Sequence, residues 1–274
     1  PAGKLRDARA APLMHRLRSE KHPAEIAALR EAARITGDGF RRVCRFVKPG
    51  AHEFEVEAEL AHEFLRQRAR GFAYTPIIAA GANACVLHYI TNHQECKDGD
   101  LLLLDVAANF ANYNADLTRT IPVNGRFTPR QRQVYDAVLR VFRAACSMLR
   151  PGVILREYQD EVGRLMTTEL LGLGLLDRDA VEKQDPDKPL FKKYFPHGTS
   201  HHLGVDVHDV GATWEPLRAG MVLTVEPGIY IREEGLGIRL ENDILIGETE
   251  NTDLMADIPI EAEEIESLMA ARAR

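Results

Sequence analysis

Between His22 and Val47 the apolar residues Ile26, Leu29, Ala33, Phe40, Val43 and Phe46 recur at helical intervals, which predicts an amphipathic helix that Pro49-Gly50 ends. A second helix is expected over about residues 52–69. The period then shortens. Residues 76–80 read as a strand, Gly81-Ala82-Asn83 as a turn, and VLHYI (86–90) as an alternating run with His88 on a strand or its edge. DGDLLLLDVAANF (98–110) predicts a strand apolar at almost every position and interrupted by Asp105, and a second acid, Asp116, follows in YNADLTRTIPV (113–123). Helical periods return over 128–149 and about 155–172, and the charged, Pro-containing residues 177–193 read as a solvated loop. MVLTVEPG (221–228) puts Glu226 at the end of a β-branched run, and GIRLENDILI (237–246) puts Glu241 inside a run that alternates like a strand. A short amphipathic helix over 261–272 closes the chain. Residues 1–20 are basic without a sustained apolar period and read as a linker or stub, followed by one domain over 21–274.

The pattern repeats. FRRVCRFVKPG (40–50) returns as FRAACSMLRPG (142–152) with the Phe, the Cys and the Pro-Gly stop in register, and Glu55 and Glu59 answer to Glu157 and Glu161. GDLLLLD aligns with GMVLTVE, so Asp105 stands opposite Glu226; Asp116 and Glu241 follow on the next strand of each half, and His88 and His208 precede their acids at similar distances. This predicts a duplicated α+β domain, with halves of about 24–127 and 128–250 and a site on the axis between them.

Candidate chemistry gathers at that axis. PHGTSHHLGVDVHD (196–209) holds His197, His201, His202 and His208 with two aspartates. Any one of these histidines alone would read as a turn or surface residue; acids embedded in apolar strands change the picture, because a buried charge requires a metal, an ion pair or a catalytic role. Carboxylates with one histidine suit Mn²⁺, Co²⁺, Fe²⁺ or Zn²⁺, and five such side chains suffice for two ions if some carboxylates bridge. Two ions can ionise a water and polarise a carbonyl, which is hydrolytic chemistry.

Composition narrows the classes. The chain has 274 residues, 45% hydrophobic and 28% charged, with a net charge of −6. That length suits a real core, and that charge gives no general reason to bind nucleic acid or an anionic membrane. No apolar run approaches the roughly 20 residues that span a bilayer, and no secretory signal is evident, so a cytoplasmic protein is expected. Cys44, Cys85, Cys96 and Cys146 lack CxxC spacing and disulfide-scaffold density, so thiols rather than disulfides are expected. Pro1 in place of Met suggests a fragment, a processed form or an expression product.

DGDLLLLD, NADLTRTIPVNGRFTPRQRQVYDAVL, HGTSHHLGVDVHDVG, GMVLTVEPGIY and GIRLENDILI together resemble the pita-bread metallopeptidases, most closely the bacterial Xaa-Pro aminopeptidase and prolidase branch. The resemblance spans about residues 24–270. It implies the pita-bread fold and two divalent ions, most often Mn²⁺, held by Asp105, Asp116, His201, Glu226 and Glu241. It implies that Glu226 also exchanges a proton with the attacking hydroxide, that His88, His197 and His208 bind substrate and stabilise the tetrahedral intermediate, and that Arg239 braces a metal-binding carboxylate. Tyr230, after VEPGI, is a weaker correspondence. The expected substrates are proline-containing peptides, with Xaa-Pro dipeptides, as for a prolidase, the nearest alternative. A methionine aminopeptidase or a metal-free binding module of the same fold fits the motifs less well. Two departures matter: His202 stands where a large aromatic is expected, which is expected to alter the pocket for the proline, and in this sequence only the basic stub stands ahead of the catalytic domain, where the family usually carries a further N-terminal domain as a partner of the site. A homodimer or higher oligomer is also expected from the resemblance.

Overall fold

The computed structural model describes residues 10–271. Helix α1 spans Ala10–Ser19, α2 Pro23–Phe46 and α3 Glu53–Arg66. Helix α2 starts at a capping box, with His22 Nδ1 accepting from the Ala24 amide (3.3 Å) and Glu25 accepting from the His22 amide (2.7 Å). Strands β1 (Gly71–Phe72) and β2 (Ile77–Ala80) precede a 3₁₀ turn over Gly81–Cys85; β3 (Leu101–Asp105), β4 (Ala108–Phe110), β5 (Tyr113–Asn114) and β6 (Thr118–Pro122) follow. The second half opens with α4 (Pro129–Met148), capped by Thr128, and α5 (Leu155–Gly172). A short helix α6 (Arg178–Glu182), β7 (Val222–Val225), β8 (Gly228–Ile231), β9 (Leu236–Arg239), β10 (Asn242–Leu245), β11 (Thr252–Asp253) and α7 (Ala262–Ala270) complete the chain.

The duplication is structural. Each half packs a helix pair, α2 with α3 and α4 with α5, against an antiparallel sheet, β2-β3-β6 in the first and β7-β10-β11 in the second. In the second half residues 199–203 run along the outer edge of β7, as β2 does along β3: Leu203 N–H donates to Val222 (3.0 Å), Thr224 to His201 (3.0 Å) and Glu226 to Thr199 (2.8 Å). Gly50 and Gly152, at the two aligned helix stops, take left-handed φ values of +90° and +93°, which a side chain would strain.

Four local expectations change. VLHYI is a loop, not a strand; its alternation arises because Leu87 and Tyr89 lean on a small apolar cluster with Ile77, Leu103 and Tyr230, while no sheet edge pairs with it. GIRLENDILI is two strands, broken where the Glu241 amide donates to the Thr118 carbonyl (3.0 Å), so the chain leaves β8 for β7 and bridges the halves. Asp116 lies between β5 and β6 rather than on a strand. Residues 177–193 include α6 and bring Phe191 into the core, where its ring touches Gly163, so the stretch is not wholly solvated.

Within the expected stub, residues 1–9 lie outside the described residues, while 10–19 form α1. Its apolar residues Leu13, Met14 and Leu17 stay exposed, so no core-facing stripe marked it. The chain is tied down just after it. The Lys21 amide donates to Gly220 (2.8 Å), and the buried Lys21 ammonium reaches Arg18 carbonyl oxygen (2.7 Å) and Asp209 Oδ2 (3.2 Å). Among the described residues no helix is long and apolar enough to cross a membrane.

Candidate metal centre

Asp105 ends β3 and Glu226 directly follows β7, so matched strands from the two halves deliver one acid each. Asp116 and Glu241 stand just ahead of β6 and β10, and His201 comes from the segment paired along β7. All five line one cavity of about 800 Å³, together with His88, His197, His208 and Arg239. One ligand atom each from Asp116, His201 and Glu241 lies within 4.8 Å of the others. His201 Nε2 is 3.4 Å from Asp116 Oδ2 and 3.6 Å from Glu226 Oε1. Asp105 receives a hydrogen bond from Arg239 Nη2 on one oxygen, and its other oxygen is buried without a hydrogen-bond partner.

Crowding and burial set the protonation. Burial raises the Glu226 carboxyl to about 7 against the pull of His201 and Arg239. Burial raises Asp105 as well, and it pushes Glu241 well above the carboxylate range, with Asp116, Glu226 and Asp105 adding repulsion. His201 goes the other way: burial pulls it down, but Asp116 and Glu226 outweigh that and hold it at about 9. A group of carboxylates and one imidazole converging on one cavity, with one carboxylate oxygen unpartnered, fits a divalent cation in both charge and donor type.

The sign of these shifts gives a testable pH dependence. In protein stripped of metal by a chelator, Glu226 binds its proton more tightly folded than unfolded, so its contribution declines as pH rises from about 4.5 towards 7. His201 does the same between 6.5 and about 9. His197 and His202, held low by burial, add stability as pH rises from 5 to 6.5 and oppose this trend in the bare protein, so the reading is the metal effect: in thermal melts saturating Mn²⁺ should restore more Tm at pH 8 than at pH 5. Equal restoration at both would contradict the shifts.

The histidines divide by environment. His201 Nδ1 faces the His202 carbonyl at 3.0 Å, which keeps a proton on Nδ1, so Nε2, facing the acids, is the nitrogen that gives up its proton when a cation binds. His197 is locked neutral, pushed down to about 3 by burial and then Arg239; its Nδ1 faces the Gly198 carbonyl (2.8 Å) and its Nε2 the Tyr230 hydroxyl (2.8 Å). Arg239 donates to that same hydroxyl (2.8 Å) and to Thr118 Oγ1 (3.0 Å), so one guanidinium ties Asp105, Thr118 and Tyr230 together. His208 and His88 are exposed at the cavity wall, His208 with its ring edge-on to His201 at 4.3 Å. His202 does not line the cavity. Adjacent residues on a strand-like segment face opposite ways, so His202 is buried behind the site with its ring against Gly211 rather than on the cavity wall.

Three contributors escaped the sequence reading. Tyr74 donates to Asp116 Oδ1 (2.6 Å), Thr118 donates to Glu241 Oε2 (2.6 Å), and Asp243 accepts from the Asp116 amide (3.1 Å). Thr118 and Asp243 each stand two residues after a predicted ligand, the spacing that returns a strand to the same face; Tyr74 carried no signal.

A model of metallopeptidase family M24 matches residues 27–248. The Xaa-Pro aminopeptidase of Escherichia coli (strain K12) is 43% identical over 95% of this chain and 61% of its own length, and that of Haemophilus influenzae is 40% identical over 94% and 62%. The structure of aminopeptidase P from E. coli with the inhibitor Pro-Leu superposes with a TM-score of 0.90 at 42% identity, covering 96% of this chain and 62% of that one. The two-half architecture is thus the pita-bread fold implied by the motifs, and the chain spans about three fifths of the length of these relatives.

Proposed function

We propose that this chain, which belongs to metallopeptidase family M24, hydrolyses the bond between an N-terminal residue and a following proline. The observation that carries this is the convergence of Asp105, Asp116, His201, Glu226 and Glu241 from both halves on one cavity, in a chain similar to proteins named Xaa-Pro aminopeptidase. These five side chains would hold two divalent ions, Mn²⁺ by preference. Bound there, the ions supply Lewis acidity towards the scissile carbonyl and lower the pKa of water.

The chain's own groups do the rest. Glu226, in the cavity wall with its Oε1 facing His201 and its Oε2 facing His197, is placed to take a proton from the attacking water and to hand it to the departing nitrogen. A proline nitrogen has no N–H, so recognition must rely on the shape of the ring. Tyr74, Ile77, Leu87, Ile90 and Val207 give the cavity that apolar wall. His88 and His208, exposed to the cavity, are free to donate to the developing oxyanion. His197, with both ring nitrogens engaged, shapes the wall until substrate displaces one of those bonds. Arg239 holds Asp105 in place. A cytoplasmic setting belongs to the same reading, supported by the four dispersed cysteines. So does association with a second copy or a further domain, supported by the exposed Leu13, Met14 and Leu17 of α1.

The test is to load the protein with Mn²⁺ and offer Xaa-Pro, Xaa-Pro-Yaa and Met-Ala-Yaa peptides. Cleavage of Xaa-Pro-Yaa ahead of the others is expected. Cleavage of dipeptides alone would make it a prolidase, cleavage of Met-Ala-Yaa a methionine aminopeptidase, and a folded protein that retains no ion would end the enzymatic reading.

A further inference from the structure

His88 reaches the cavity from a loop, so no sheet ladder fixes its position. The residues around it converge on one buried acid. Glu53, the first residue of α3, is 0% exposed. Its Oε1 accepts from the Ala80 amide (2.8 Å) and from Asn83 Nδ2 (3.2 Å). Its Oε2 accepts from the Tyr89 hydroxyl (2.7 Å) and from the Gln94 amide (2.8 Å). The Glu53 amide itself donates to the Gln94 carbonyl (3.0 Å). One carboxylate therefore gathers the residue before the loop, its 3₁₀ turn, the neighbour of His88 and the far end of the loop.

A helix-capping role does not account for this. The cap of α3 is made by His52 and Glu55, whose Oε2 accepts from the His52 amide (2.7 Å), while the Glu53 side chain turns away from the helix. Nor does an ion pair account for it: the salt bridges of the described residues do not include Glu53. A buried carboxylate without a cation is tolerated only when donors satisfy both oxygens, and here four do. All four come from the segment that carries His88 or from its edges. Asn92 adds a second tie, accepting from the Ile78 amide (3.1 Å) and donating to the Pro76 carbonyl (2.9 Å). Tyr89 turns to the small apolar cluster, away from the cavity, while Leu87 and His88 both reach the cavity wall.

We infer that Glu53 is a positioning residue for His88: its carboxylate sets the loop over residues 80–94 so that the His88 ring meets the substrate at the cavity wall. The inference rests on the proposed role of His88 in turnover. It carries no claim on the metal ligands, none of which Glu53 touches.

The experiment is a mutant cycle on the full chain loaded with Mn²⁺, read as kcat and KM for an Xaa-Pro-Yaa peptide, with bound metal and Tm measured alongside. Glu53→Gln keeps the shape but puts an NH₂ group against donors it cannot accept from. It should lower kcat by roughly 10-fold or more, leave bound Mn²⁺ unchanged, and cause no further loss in a His88→Ala background. Tyr89→Phe deletes only the bond beside His88 and is mild enough to fold; it should lower kcat by about 3-fold or more, again only when His88 is present. Equal losses with and without His88 would show that Glu53 acts through the fold at large and would overturn the inference, as would wild-type turnover in Tyr89→Phe. If His88→Ala alone kept full turnover, the role of His88 would fail first, and the unchanged metal content would separate that result from failure of the metal centre.

Discussion

Glu226→Gln should lower turnover of an Xaa-Pro-Yaa peptide by at least about 10³-fold while leaving the fold intact, because one atom change removes both an anionic ligand and a proton carrier. The position of Glu226 is set by its backbone, whose amide donates to the Thr199 carbonyl (2.8 Å), so the amide side chain will occupy the same place. Its Oε1 faces His201 Nε2 at 3.6 Å and its Oε2 faces His197 Nδ1 at 3.7 Å. An amide there can neither neutralise a cation nor take up a proton near pH 7. The substitution also removes a carboxyl that burial disfavours as an anion, so metal-free Glu226→Gln should melt no lower than the metal-free parent at pH 8. The measurements are kcat, bound metal and Tm. A variant keeping more than about a tenth of parental turnover would show that the pairing of Glu226 with Asp105 across the two halves has been misjudged.

That pairing was legible from sequence because it rests on the strongest physical signal available, an acid where an apolar strand gives no reason for one. Asp105 and Glu226 close matched runs, and the matched Pro-Gly stops carry the same left-handed glycine in both halves. Periodicity was less informative about what pairs with the backbone. The alternation of VLHYI reports truthfully that Leu87 and Tyr89 face apolar neighbours, yet a loop laid on a cluster and a strand in a sheet leave the same trace. The continuous alternation through Leu240 and Glu241 likewise hides a change of partner from β8 to β7. Hydrogen bonds between residues far apart leave no mark in a single sequence. Tyr74 and Asp116 are 42 positions apart, and the four donors to Glu53 follow it by 27 to 41. Helix α1 went unread because its apolar residues face outward among the described residues.

The histidines give the second large effect, and it separates ligand from substrate-facing group. His201→Ala should leave the protein unable to hold its full metal complement at micromolar Mn²⁺, since the His201 ring alone among the histidines lies in the cluster with Asp116 and Glu241. Its Nδ1 is committed to the His202 carbonyl at 3.0 Å, so Nε2 is the donor, and its raised affinity for protons in the metal-free state means that metal uptake at pH 7 should release a proton. His208→Ala should retain metal yet lose roughly 10²–10⁴-fold in kcat, because that ring is exposed to the cavity and can act only on what enters it. Its edge-on contact with His201 at 4.3 Å is packing, so its removal should weaken Mn²⁺ binding by no more than a few fold. His202→Ala is the control. Its ring is buried behind the site against Gly211, and deleting it should lower Tm while sparing metal content and the chemical step. Metal titrations and single-turnover rates on the three variants decide the matter: occupancy that depended on His202 rather than His201 would place the register of PHGTSHHLG along β7 one residue off, and with it the face that every histidine of the segment presents to the cavity.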